Sequence, residues 1–144
     1  MNAAPKTLRT LSDLGEAGLT SEDQRAALER VAAQYAVAIT PAMSELIDRN
    51  AANDPIARQF VPDAAELQTT ADELADPIGD HPHIPVEGIV HRYPDRALLK
   101  LTHVCAVYCR FCFRREMIGP GADALSPKQL DAALDYVAGH PEIW

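Results

Sequence analysis

The three cysteines of this chain, Cys105, Cys109 and Cys112, fall within one run of eight residues at C-x-x-x-C-x-x-C spacing, and the sequence holds no fourth. The rest of the chain has to be arranged around the stretch that carries them, Leu98 to Gly121 (LLKLTHVCAVYCRFCFRREMIGPG). Three thiolates on a short loop can hold three corners of a [4Fe-4S] cube, whereas clusters that only carry electrons are usually tied to four cysteines. One iron is then open to a ligand, by the logic that separates catalytic from structural zinc. Two other readings fit the same residues: a three-cysteine zinc site completed by His91 or His103, and three buried thiols that bind nothing.

Charge is distributed unevenly around this loop. The formal net charge is −8, which excludes a general affinity for nucleic acid or an anionic membrane. Yet six of the thirteen basic residues (Arg92, Arg96, Lys100, Arg110, Arg114, Arg115) lie between His91 and Arg115, where Asp95 is the only acid. Such a gathering suits anionic ligands, and its plainer reading is a solvated charged face. No apolar run approaches the roughly 20 residues of a membrane span, and MNAAPKTLRTLSDLGEAG has no continuous apolar core of a signal peptide. The expected compartment is the cytoplasm, where thiols stay reduced and free to bind metal.

With 144 residues, 47% of them hydrophobic, the chain can bury one core. Its first part reads as helical. A short helix is expected near Thr7 to Glu16, and a longer one from a Thr20 cap to about Val37, with Leu28, Val31, Ala32, Tyr35 and Ala38 on one face. Thr40-Pro41 opens another toward Asn50, with Met43, Leu46 and Ile47 as its stripe, and Asp54-Pro55 opens a short one that buries Ile56, Phe60 and Val61. From Pro62 to Pro85, six acids and four prolines mark a surface loop with one helical turn at Ala64 to Gln68. His81 and His83 alternate with prolines there and make a weak metal site, having no further ligand near in sequence.

Gly88 to Tyr93 and Arg96 to Thr102 are extended in character, with Pro94-Asp95 between them as a turn. The nearly continuous apolar run Ala97 to Leu101 has the pattern of a buried parallel strand. The last helix is the clearest. Ser126 caps it, Pro127 stands at its first position, Gln129 completes a capping box, Leu130, Ala133, Leu134 and Val137 form the stripe, and Gly139 ends it.

The cysteine spacing resembles the radical S-adenosylmethionine (SAM) signature, with Phe111 where that superfamily has an aromatic residue close to the adenine of SAM. The flanks narrow the likeness: DPIARQFVP, DPIGDHPHIPVEG, HRYPDRALLKL, FRRE and GPG, over roughly Asp54 to Trp144, resemble the lysine 2,3-aminomutase family. The resemblance implies an α/β fold: an N-terminal helical region with an acidic Pro-rich linker over 1–87, then over 88–144 the first strand, cluster loop and first helix of a partial (β/α) barrel. Members of that family are well over twice this length, so the chain is read as an N-terminal fragment. Without a following strand, the helical region is expected to be loosely joined to the cysteine segment, with apolar surface left open.

The resemblance also assigns roles. Cys105, Cys109 and Cys112 would bind a [4Fe-4S] cluster whose open iron takes the amino and carboxylate groups of SAM. Arg92 and Arg96 match arginines near the phosphate of pyridoxal 5′-phosphate (PLP), and Arg114 matches one that meets a carboxylate, that of the substrate amino acid. In the family, reductive cleavage of SAM gives a radical that takes a hydrogen from the substrate, and the amino group then migrates with PLP. An electron donor of flavodoxin or ferredoxin type and a homo-oligomeric enzyme are implied too. The G-G-D-P motif and the PLP lysine of the family are absent from this sequence, whose lysines are Lys6, Lys100 and Lys128. Two alternatives stand beside the aminomutase: the relative that rearranges a lysine destined for elongation factor P, and a non-catalytic iron-sulfur-binding or interaction fragment.

Overall fold

A computed structural model describes residues 6–143. Among them are five α-helices and one two-stranded sheet, the α/β composition expected. The chain divides into two compact units. One holds the chain through Glu73 together with Cys105–Pro120, and the other holds Leu74–Val104 and the chain from Gly121.

In the first unit, capping chemistry sets where each helix begins. The Thr10 hydroxyl accepts from the Asp13 N–H, and the Asp13 carboxylate accepts from the N–H groups of Thr10 and Arg9, so α1 (Leu11–Glu16) starts later than Thr7. Leu8 is released to form an isolated antiparallel bridge with Ile39, N–H to carbonyl in both directions at 2.9 and 3.0 Å. Ser21, not Thr20, forms the capping box with Gln24 and opens a 3-10 turn that leads into α2 (Arg25–Gln34). This helix stops three residues short of Val37. The extended run through Ile39 pairs with Leu8, and Thr40 is held extended by Pro41. Most of the expected apolar face survives the change: Leu28, Val31, Tyr35 and Ala38 are buried, whereas Ala32, one residue round from Val31, is exposed.

Helix α3 (Pro41–Glu45) is shorter than its stripe implied, and Leu46 is 60% exposed, whereas Ile47 is buried. The chain past Glu45 turns instead of winding on, as the Asp48 carboxylate accepts from the Asn50 N–H at 2.9 Å. The Asp54 carboxylate accepts from the Ala57 N–H at the start of α4 (Ala57–Phe60), which buries Phe60 as expected. Two apolar clusters result. Leu8, Leu14, Val37, Ile39 and Phe60 form one, with Val107 and Cys109 packed on it, and Val31, Tyr35, Ala38 and Tyr108 form the other. Each fully buried Leu, Ile or Val contributes about 1.5–3 kcal/mol of transfer free energy.

The cysteine loop is thus sewn into the helical unit, which corrects the expectation of a loose joint. Tyr108 is 3% exposed and its N–H donates to the Ala38 carbonyl, while the Arg110 N–H donates to the Gln59 carbonyl. The Arg110 side chain crosses to Glu66, in the helical turn expected at Ala64. Its Nε lies 3.0 Å from Glu66 Oε1, its Nη2 2.6 Å from Oε2, and its Nη1 donates to the Ala36 carbonyl at 2.7 Å. Both side chains are nearly buried, at 5% and 12% exposure.

In the second unit, β1 (Ile89–Tyr93) and β2 (Arg96–Leu99) form an antiparallel hairpin closed by Pro94-Asp95. Ile89 and Val90 are buried, but β2 alternates between exposed and half-buried. The buried parallel strand expected at Ala97 to Leu101 is therefore not what these residues form: β1 is the partner of β2 among the described residues, and Leu98 and Leu101 are 45% and 53% exposed. Beyond the hairpin the chain pairs once more. Leu125 N–H donates to Leu101, His103 N–H to Asp123, and Thr102 bridges Ala124, forming a stem. Helix α5 (Pro127–Ala138) begins at the Ser126–Gln129 capping box as expected and buries Ala133, while Leu134 of its stripe is 50% exposed. No helix among the described residues is long and apolar enough to cross a membrane.

Two substitutions test this packing. Gly88 has φ +89° and an added Cβ would meet Leu125 Cδ1 at 2.5 Å, so Gly88→Ala is expected to cost at least about 1 kcal/mol in urea unfolding. Glu66→Gln leaves the Arg110 charge without its counterion, and about 3 kcal/mol of destabilisation is expected. An unfolding midpoint equal to that of the unaltered protein would show that the pair does not organise the loop.

Candidate functional site

The loop from Cys105 to Arg115 is fixed by its own backbone as well as by the helical unit. Cys105 N–H donates to the Gly119 carbonyl at 3.2 Å and closes the loop, Cys112 N–H donates to Cys109, and Arg115 N–H donates to Cys112. The three thiols are free and half-buried. Burial, and after it the neighbouring thiols of Cys112 and Cys105, pushes the Cys109 thiol above the ordinary cysteine range. Among the described residues, no three or more His, Cys, Asp or Glu side chains are gathered as a metal-holding group. Their chemistry nonetheless fits an iron-sulfur cluster: thiolates are its usual ligands, and half-burial leaves a path for metal to enter. Ligation has to displace a proton from each thiol.

The residues around the thiols divide sharply by role. Phe111 is 68% exposed, an open aromatic face beside Cys112. The Arg114 guanidinium lies 4.6 Å from the centre of the Phe113 ring. Arg110 and Arg115 are bound internally. Arg115 donates to the Tyr35 hydroxyl at 3.0 Å, covers the Tyr35 ring at 4.2 Å and approaches Glu66 at 3.9 Å. Two of the basic residues gathered near the cysteines thus answer an acid of this same chain. Tyr108 donates its hydroxyl to the Arg115 carbonyl, and burial pushes its phenol up to about 12 against the opposing pull of Arg110 and Arg115.

Within the second unit the hairpin brings Arg92 and Arg96 to one groove of about 300 Å³, walled by Val90, Tyr93, Ala97 and Leu98. The register between the strands is irregular from Val90 to Tyr93, the bulge that carries Arg92. Arg92 Nη2 donates to the Ile78 carbonyl and lies 3.3 Å from Asp80 Oδ1. Arg96 leans on the Tyr93 ring at 4.6 Å, with Asp95 at 3.8 Å. A forked guanidinium at such a groove fits a phosphate. His91 is committed elsewhere, its Nδ1 2.7 Å from the Tyr136 hydroxyl and its ring edge-on to His140.

Sequence reasoning missed Glu66 and Asp80. A signal existed for Glu66: D-x-x-E at Asp63–Glu66 is a capping-box pattern, and the structure forms it, with the Asp63 N–H donating to Glu66 Oε1. Nothing local announces its second partner, 44 residues away.

No protein-family model matches the chain. Individual proteins do. An L-lysine 2,3-aminomutase of Clostridium subterminale is 40% identical over 125 residues, 87% of this chain and 30% of its own length. That of Bacillus subtilis is 37% identical over 137 residues, 95% of this chain and 29% of its own length. A glutamate 2,3-aminomutase of Clostridioides difficile is 35% identical over 116 residues, 81% of this chain and 27% of its own length. The chain therefore spans about 30% of the length of the first of these relatives. A match of 125 residues in 144 includes the cysteine loop wherever it begins. On this shared stretch the chain belongs to the lysine 2,3-aminomutase family.

Proposed function

We propose that this chain carries the cluster-binding segment of a radical SAM aminomutase that moves an amino group between neighbouring carbons of lysine. The observation that carries the reading is a loop of three free, half-buried thiols at C-x-x-x-C-x-x-C spacing, lying in the stretch shared with proteins named as 2,3-aminomutases. The order of hairpin, cysteine loop and α5 supports the start of a partial (β/α) barrel.

Each residue has a task that its surroundings support. Cys105, Cys109 and Cys112 give up their protons and hold three irons of a [4Fe-4S] cluster. Phe111, exposed beside the third thiol, offers a face to the adenine of SAM. Arg92 and Arg96 hold the PLP phosphate at the hairpin groove. Arg114 takes the carboxylate of the substrate, a group common to lysine and glutamate, so that residue does not choose between them. When bound, the cluster, SAM and PLP supply the radical chemistry, and the chain's residues bind and orient them. A flavodoxin- or ferredoxin-type electron donor, a cytoplasmic setting and self-association of the complete enzyme belong to the same proposal.

Anaerobic reconstitution with iron and sulfide tests the site. A brown protein with [4Fe-4S] absorbance is expected, lost in Cys109→Ala; stoichiometric zinc binding without that absorbance would overturn the reading. Turnover is a separate matter. Lys6 is paired with Asp13 at 2.6 Å and Lys128 stands in the first turn of α5, and neither these nor Lys100 match the family's PLP lysine. The 144-residue chain alone is therefore expected to form no borohydride-reducible PLP adduct at a unique lysine and to leave lysine unrearranged, as amino acid analysis would record.

A further inference from the structure

Arg92 is not held by the hairpin alone. The segment Asp76 to His81 folds back on itself, with the Asp76 carboxylate accepting from the N–H groups of Asp80 at 2.9 Å and His81 at 2.8 Å. Those two backbone bonds, that to His81 first, hold the Asp76 carboxyl below its ordinary range. Gly79, at φ +66°, makes the turn, a backbone conformation that side chains rarely adopt. The turn thereby aims two acceptors, the Ile78 carbonyl and the Asp80 carboxylate, at the same Nη2 of Arg92. Asp80 is itself 5% exposed and lines the groove with Arg92 and Arg96. The Nε and Nη1 groups of Arg92 stay outside both contacts. An arginine pinned by one nitrogen keeps the rest of its fork in a fixed plane, and a fork fixed in advance loses less side-chain entropy when an anion arrives.

We propose that Asp80 is a positioning residue for the anion site: it orients Arg92 so that Arg92 and Arg96 form one phosphate-binding wall. This rests on the reading of the two arginines as the holders of the PLP phosphate. It makes a prediction opposite in sign to simple electrostatics. A carboxylate beside an anion site repels the anion, so neutralising it should tighten binding if charge alone mattered. If Asp80 works by holding Arg92, neutralising it should weaken binding.

The purified chain is titrated calorimetrically with pyridoxine 5′-phosphate, which has no aldehyde to react with lysines, and with pyridoxine as the phosphate-free control. Asp80→Asn is expected to bind the phosphate ester about tenfold more weakly, the equivalent of losing alignment in one charge-assisted hydrogen bond. Asp80→Glu should recover part of the loss, and binding of pyridoxine should be the same in all variants. A circular dichroism melt verifies that Asp80→Asn stays folded. If it does not, Gly79→Ala, which strains the turn and leaves both charges in place, should show the same selective loss. Phosphate-ester binding by Asp80→Asn equal to or tighter than that of the unaltered chain overturns the positioning role, provided Arg92→Gln loses it. If Arg92→Gln and Arg96→Gln both bind normally, the phosphate reading of the groove fails, and the role of Asp80 fails with it.

Discussion

The pairing of Glu66 with Arg110 is the contact on which the arrangement of the cysteine loop depends. Arg110 stands between the second and third thiols, and its side chain reaches inward to a carboxylate 44 residues earlier and to the Ala36 carbonyl. Burying such a pair yields little net stability, because desolvation consumes much of the attraction. Its effect is on which conformation is chosen. A guanidinium with a bidentate partner and a third acceptor has one acceptable position, so the backbone at Arg110 does as well. Tyr108 and Val107 then fill the two apolar clusters from the same loop.

That contact also changes what the local excess of positive charge means. In an acidic chain, six basic residues within 25 positions point to anions, and the structure divides them. Arg110 and Arg115 share Glu66, so they build the loop instead of facing a ligand. Arg92 and Arg96 line a groove in the other unit, and Arg114 rests against Phe113.

What could be read in the sequence was whatever is encoded over a few residues. The Ser126–Gln129 capping box, the Pro94-Asp95 turn, the helical turn at Ala64 and the burial of Leu28, Val31 and Phe60 all follow from local pattern and are present as expected. The cysteine spacing is local too, and it led to the family. Readings that needed partners distant in sequence fared worse. The α2 helix ends early because Ile39 pairs with Leu8, and the apolar run at Ala97 to Leu101 forms one side of an antiparallel hairpin. The firm seat of the cysteine loop rests on Glu66, Gln59 and Ala38, none of which carries a mark of that role.

The central claim is that these three thiols hold a cluster with one iron open to SAM. Pulsed electron paramagnetic resonance of the reconstituted, reduced chain measures this directly, with SAM labelled at its amino nitrogen. A coupling between that nitrogen and the cluster is the expected result, lost when any of Cys105, Cys109 or Cys112 is replaced. A cluster signal unchanged by SAM would contradict the open iron, and the absence of any paramagnetic cluster after reduction would contradict the site itself.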